Sequence, residues 1–464
     1  MLALAACDPY RIAGGRVATD YAGSVTADAP RAALVGRDVL ADGGNAVDAA
    51  VAAALAQGVT SPGRGGLGGG GLCLVQGSAG PDTDKKRVQA LRFPAVKATD
   101  RVALPGTPRG LYALHARYGA LRWRAVVAPA ERLARFGTGA SRALVRTLKA
   151  AGGRLRGETA RGTFLADGGP PEVGMSLRRL SLAGTLSRLR REGAVDLYSG
   201  EAADRFLADA RDVAEAPVPA AALRDVLPEW TAPATAGAGD HVVAAPPAGA
   251  LADAWRKLPA GTAPGDDALH AATGDLTGGG PPAAGVAALD GRGNAVACAF
   301  TLNRPFGTGR LGRESGLFVA APPADAAKPL AGLAPVLVVN RPTHSVLLAA
   351  TASTGWRDTL PVARAAAVDA AARLLAGRGD VKAVLNRPRG GYAVGPGSGR
   401  AAVEADVPPA RRDALRAAGL TLVERPHLGR VNAIFCRGGS PNNTGTCRAA
   451  ADPRWSSLAA TSAR

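Results

Sequence analysis

The sequence predicts an α+β fold built in stacked layers, and three observations lead there. Hydrophobic residues fill 47% of the 464 positions and charged residues only 20%, which excludes a disordered chain of low hydrophobicity and high charge density. Segments with helical period crowd the first half, whereas strand-like apolar runs crowd the second. No internal repeat divides the chain, so the two textures read as layers of one body and not as two independent domains. Aromatics are only 4%, leaving Ala, Val and Leu to fill the interior, and 61 Gly with 34 Pro imply many turns.

The elements follow in order. Residues 44–57, "GNAVDAAVAAALAQ", carry small apolar side chains at helical spacing, and Gly58 is the expected C-cap. "SPGRGGLGGGGLCLVQ" then reads as a glycine loop feeding a strand at Leu72–Gln76. Gly63, Gly65 and Gly68 match GxGxxG, but that fingerprint binds a dinucleotide only between a strand and a helix N-terminus. Here the order is helix, loop, strand, and no Lys follows to make a phosphate loop, so no cofactor is expected. Helical patterns recur at 110–119, 129–137 and 185–193, then thin into Pro- and Ala-rich sequence over 215–282. The stretch 281–303, "PPAAGVAALDGRGNAVACAFTLN", is a strand, a Gly turn and a second strand. "PVLVVN" and "HSVLLAAT" continue the strand series, and a helix is expected over 361–376.

The net charge of +18 suits a nucleic-acid or anionic-lipid partner. Yet the basic residues are mostly scattered Arg, with no basic tail and no aromatic-studded basic strand to stack bases, which argues against nucleic acid. Salt-screened attraction to an anionic lipid or an acidic protein is the partner class left. The five cysteines include no CxxC pair and no zinc spacing, so no metal site is expected. Cys436 and Cys447 bracket "RGGSPNNTGT", a turn-rich loop short enough for a disulfide in an oxidising compartment; two unpaired thiols are the alternative. At the N-terminus, Leu4-Ala5-Ala6-Cys7 is similar to a lipoprotein processing site. It makes Cys7 the lipidation candidate, residues 1–14 a leader and tether, and an exported, periplasmic, membrane-anchored protein the expectation; a cytoplasmic protein with a chance LAAC is the alternative. Only six residues precede Cys7, fewer than the apolar stretch of about 7–15 that a signal segment carries.

Five stretches, "ADGGNAVDAAVAAALAQGVTSPGRGGLGGGG", "VALPGTPRGLYALHARYGALRW", "LDGRGNAVACAFTLNRPFGTG", "RPHLGRVNAIF" and "AAADPRW", together resemble the γ-glutamyltransferase (γ-glutamyltranspeptidase) family, in that family's order. The resemblance extends from about residue 15 to 455. It implies an N-terminal-nucleophile hydrolase fold, a four-layer αββα sandwich cut by self-cleavage into a large and a small subunit. The corresponding regions here are 15–282 and 283–464, intertwined in one domain.

In that family a threonine opens the small subunit seven residues before the Asp of the hairpin turn. Counting back from Asp290 reaches Ala283, with the register held by Asp290, Gly293, Asn294 and Val296. Ala284 and Gly285 occupy the second threonine and the histidine of the same motif. The family's threonine attacks the preceding carbonyl and then the γ-glutamyl carbonyl; a methyl group does neither. Thr277 and Thr273 lie six and ten residues upstream, too far for a strand rising about 3.3 Å per residue. No catalytic residue is therefore assigned.

The resemblance places Arg92 on the substrate carboxylate, Asn303 of "TLN" in contact with substrate, and Asp325 at the substrate ammonium. The run Ala320–Ala324 before Asp325 departs from the family, and Ala331-Gly332 replace its paired serines. The oxyanion-hole glycine pair becomes Gly355-Trp356, whose indole crowds a place meant for close backbone approach. Each survivor has a plain structural alternative: an ion-paired Arg92, an Asn303 that pairs a turn, a solvated Asp325. The functional expectation is an uncleaved, non-catalytic member with weak binding of a γ-glutamyl or amino-acid carboxylate ligand. One alternative is an active hydrolase or transferase of glutathione-like compounds using another nucleophile; another is a structural or interaction protein of the cell envelope.

Overall fold

The structure, a computed structural model, describes residues 21–77, 87–247, 250–258, 264–273, 281–353, 362–377, 380–394 and 399–463. Cys7, Thr277, Gly355 and Trp356 lie outside these residues.

Thirteen strands build two large sheets. In chain order the first six are β1 (Tyr21–Ala27), β2 (Gly70–Gln76), β3 (Gln89–Phe93), β4 (Glu229–Thr231), β5 (Ala234–Ala238) and β6 (His241–Ala245). The hairpin follows as β7 (Ala283–Asp290) and β8 (Ala295–Thr301), then β9 (Ala334–Asn340) and β10 (Val346–Ser353). The last are β11 (Arg430–Ser440), β12 (Cys447–Ala450) and β13 (Leu458–Ala463). One sheet has the order β13-β1-β7-β8-β2-β3-β4 and the other β12-β11-β10-β9-β6-β5. Both sheets mix strands from before and after residue 283, so neither half of the chain could close a core alone.

Side-chain alternation produces the layers. On β7, Val286 and Ala288 face outward into a core shared with α1 (Pro30–Ala41) and α2 (Ala46–Thr60). Ala283, Ala287 and Leu289 face inward, against Leu337, Ala349 and Ile434 of the second sheet. The far face of that sheet, with Val336, Val338, Leu348 and Val431, packs on the helices Ala250–Arg256 and Val362–Leu375. The result is a four-layer αββα sandwich. Every residue of α2 is buried, and its Ala and Val side chains let it approach the sheet and α1 closely.

Two expectations are corrected. Gly58 does not cap α2; the helix runs on to Thr60, because the Arg179 guanidinium accepts the role, donating to the carbonyls of Gly58 and Val59 at 2.8 and 3.1 Å. The Pro- and Ala-rich stretch 215–282 is not structurally thin: it supplies β4, β5, β6 and the helices Ala250–Arg256 and Asp266–Thr273. Its short, Ala-rich elements lack the length and periodicity that mark helices and strands in a sequence.

The turn joining β7 to β8 is fastened by Asp290. Its carboxylate accepts from the backbone N–H of Arg292 and Asn294, from the Asn294 amide, and from the N–H of Ala46 at the start of α2. One carboxylate thus closes the hairpin and caps a helix in the adjoining layer.

Candidate functional site

Ala283 opens β7 directly across from Thr301, the last residue of β8. Both are buried, and the only side-chain atom Ala283 presents is a methyl carbon facing the inter-sheet core. Thr301 holds the corner. Its hydroxyl donates to the carbonyl of Pro282 at 2.8 Å and accepts from the N–H of Asn303 at 2.9 Å. The bond that would be cut in a self-cleaving chain therefore has its carbonyl oxygen gripped, with no hydroxyl at 283 to attack the carbon.

Of the described site residues read from the sequence, Asn303 lies at the Ala283 corner through Thr301, whereas Arg92 does not. Arg92 lies on β3, three strands from β7, roughly 14 Å across the sheet. Its guanidinium pairs with Glu229 of β4 at 2.8 Å. Asn303, at a positive φ of 64°, turns its amide to the Ala321 carbonyl at 2.8 Å, fixing the corner after β8. Asp325 is exposed in the loop beyond, where its carboxylate accepts from the N–H of Ala327 at 2.9 Å. Thr273 donates its hydroxyl to Leu269 within its own helix. Cys436 and Cys447 face each other across β11 and β12 and form a disulfide.

The same end of the sandwich holds a buried polar cluster that sequence reasoning missed. Asp28, just past β1, exchanges backbone and side-chain bonds with Gly285: its N–H reaches the Gly285 carbonyl at 3.2 Å and its Oδ2 accepts from the Gly285 N–H at 3.0 Å. Asp28 also accepts from Asn432 at 2.7 Å and Ser353 at 3.2 Å, and forms an ion pair with Arg430. Arg430 donates from Nε to the Ser353 hydroxyl at 2.8 Å. Trp455 completes the group, with the Arg64 guanidinium 4.3 Å above its ring and Arg430 at 5.4 Å. Arg64, Arg430 and Trp455 all fall in stretches whose family likeness was visible, but only the sheet ends bring residues 28, 64, 353, 430 and 455 together.

A second disulfide, Cys73–Cys298, was not anticipated. It joins directly paired residues of β2 and β8 across 225 positions of sequence, and neither cysteine is exposed. Nothing in the local sequence marks either cysteine, since each interrupts an ordinary apolar strand.

Residues 32–252 match the family model described as gamma-glutamyltranspeptidase. Over 220 residues the chain is 33% identical to the glutathione hydrolase proenzyme of Escherichia coli (strain K12), covering 43% of this chain and 36% of that protein. Over residues 32–252 the chain belongs to the γ-glutamyltransferase family. It is also 31% identical over 202 residues to glutathione hydrolase 2 of Arabidopsis thaliana, covering 41% of this chain and 35% of that protein. These matches span about a third of the length of the curated relatives. Across its whole length this γ-glutamyltransferase-family chain is similar in fold to a crystal structure of cephalosporin acylase from Bacillus halodurans, with a TM-score of 0.77, 20% identity and 99% of both chains covered. That likeness places it in the N-terminal-nucleophile hydrolase fold. The span matched by the family model ends upstream of β7, so position 283 is assigned by the hairpin register through Asp290.

Proposed function

We propose that this γ-glutamyltransferase-family chain neither cleaves itself nor turns over γ-glutamyl compounds. One observation supports this reading above the rest: the residue opening β7, in the register of the family's threonine, is Ala283, buried opposite Thr301. Covalent acyl transfer needs a nucleophile and a base at that place, and loss of the nucleophile in another hydrolase lowers turnover on the order of 10^6-fold. Thr301 does not substitute, because its hydroxyl is a donor to the Pro282 oxygen and not an attacker of the carbon. Binding of a γ-glutamyl or amino-acid ligand at the family position is left weak, since Arg92 is occupied by Glu229 and Asn303 by the Ala321 carbonyl. Two disulfides support an oxidising, exported location for the protein.

The test is intact-mass analysis of the purified chain together with a γ-glutamyl anilide assay. A single species near 46.5 kDa, less any leader, and no amine release are expected. Two fragments divided between Pro282 and Ala283, or amine release lost in Arg92→Ala, would overturn the reading.

A further inference from the structure

Beside Ala283, the end of the sandwich contains a buried cation that forms no ion pair with the described residues. Arg64 retains only 6% exposure, and its Nε is sealed from solvent with no hydrogen-bond acceptor. Its one close polar contact among the described residues is the face of Trp455. Other buried arginines are placed differently. Arg179 directs its terminal nitrogens at the carbonyls of Gly58, Val59 and Gly316, and Arg430 is held by Asp28 and Ser353.

Asp28 attracts Arg64 through space but forms its ion pair with Arg430. Its Oδ1 accepts from Asn432, and its Oδ2 from Gly285, Ser353 and Arg430. Among the described residues, Asp28 is ion-paired to Arg430, which Asp452 also attracts, and Arg64 is left without an ion-pair partner. Burial pushes the Arg64 pKa down to about 9, with Arg430 adding to the fall and Asp28 opposing it. At neutral pH the side chain is still charged. Burying such a charge without a partner is costly, and Nε1 of the neighbouring Trp455 is also buried without a partner among the described residues.

We propose that Arg64 is the seat of a ligand carboxylate, held by the guanidinium fork against the face of Trp455 at the end of the sandwich that bears Ala283. A carboxylate answers both features of the site. Its single charge pairs with that of Arg64, and its two coplanar oxygens match the planar donor fork. A doubly charged phosphate would overcompensate and present a bulkier tetrahedron to a side chain already nine-tenths covered. The seat is separate from the family's carboxylate position at Arg92, and it stands whether or not the chain is catalytic.

Thermal unfolding of the full chain tests it, with sodium acetate, sodium glutamate and sodium phosphate compared against sodium chloride at equal ionic strength. Acetate and glutamate should raise the midpoint progressively with the logarithm of concentration, while chloride does not. Arg64→Met should abolish the rise and, without ligand, unfold no lower than the parent chain, because an unmatched buried charge has gone. Arg92→Gln should keep the rise. Should Arg64→Met fail to fold, Arg64→Lys keeps the charge but loses the fork, and should need at least about tenfold more acetate for the same rise. The proposal is overturned by no carboxylate-linked rise in the parent chain, by a larger rise with phosphate than with acetate, by an undiminished rise in Arg64→Met or Arg64→Lys, or by loss of the rise in Arg92→Gln alone.

Discussion

At Gly285, two residues past Ala283, the two sheets leave no room for a side chain. A Cβ built on it would lie 2.4 Å from the Thr351 hydroxyl of the opposing sheet and 2.8 Å from its Cβ. The residue thus owes its identity to inter-sheet spacing, and not to a special backbone angle. Gly285→Ala should force the strands apart and lower stability by about 1–3 kcal/mol, the usual cost of overpacking a close-packed core. Urea unfolding of the full chain would read this, and an unchanged midpoint would show that the sheets give way freely. At the same scale, the absent hydroxyl of Ala283 is the clearest statement the chain makes about chemistry, because the neighbouring hydroxyl among the described residues, that of Thr301, is engaged with the Pro282 carbonyl oxygen.

At the scale of elements, the β7–β8 hairpin is fastened at both ends and along its flank. Asp290 closes the turn and caps α2, while Thr301 clamps the open end to Pro282. Along the flank, the Cys73–Cys298 disulfide bonds β8 to β2 through a residue pair with no exposure. Its link across 225 positions restricts a long segment of the unfolded chain. Replacing both cysteines by Ala should therefore cost about 2–4 kcal/mol in urea unfolding. The buried bond should also resist mild reductant until the chain unfolds, which mass analysis after thiol alkylation would detect. Alkylation of Cys73 and Cys298 in the native protein would contradict this.

At the scale of the whole molecule, a buried ionic chain ties the small three-stranded sheet of Gly390–Ala393, Arg400–Val403 and Thr421–Glu424 to the sandwich. Glu404 forms an ion pair with Arg454 and accepts from the N–H of Arg389 and Leu428. Asp452 pairs with both Arg389 and Arg454, and its own N–H donates to Asn432, whose amide reaches Asp28. Burial pulls both carboxyls upward, but the arginines and backbone N–H groups outweigh it and hold each below its ordinary value. Groups depressed in the folded state stabilise it fully above their unfolded values and lose that contribution as pH falls through the folded ones. The urea midpoint should accordingly be flat on the acidic side of neutrality and drop as pH goes below about 4. Glu404→Gln should weaken that acid sensitivity while lowering stability at pH 7.

Much of this molecule was legible in its amino-acid order. Apolar alternation in "GVAALD" and "NAVACAFTL" marks a two-faced buried hairpin; the small-residue face of 44–57 marks a helix packed on a sheet; and Asp290 with Gly293 and Asn294 sets the register that puts Ala283 at the head of β7. These are local properties, decided by side-chain period and turn chemistry within a few residues. The tertiary structure alone decided which distant residues meet. It paired Cys73 with Cys298, turned Arg92 toward Glu229 and away from β7, let Arg179 extend α2 past Gly58, and gathered Asp28, Arg64, Arg430 and Trp455 at one end of the sandwich. Contacts of this kind depend on strand order and on the distance between sheets, and neither leaves a periodic trace along the chain.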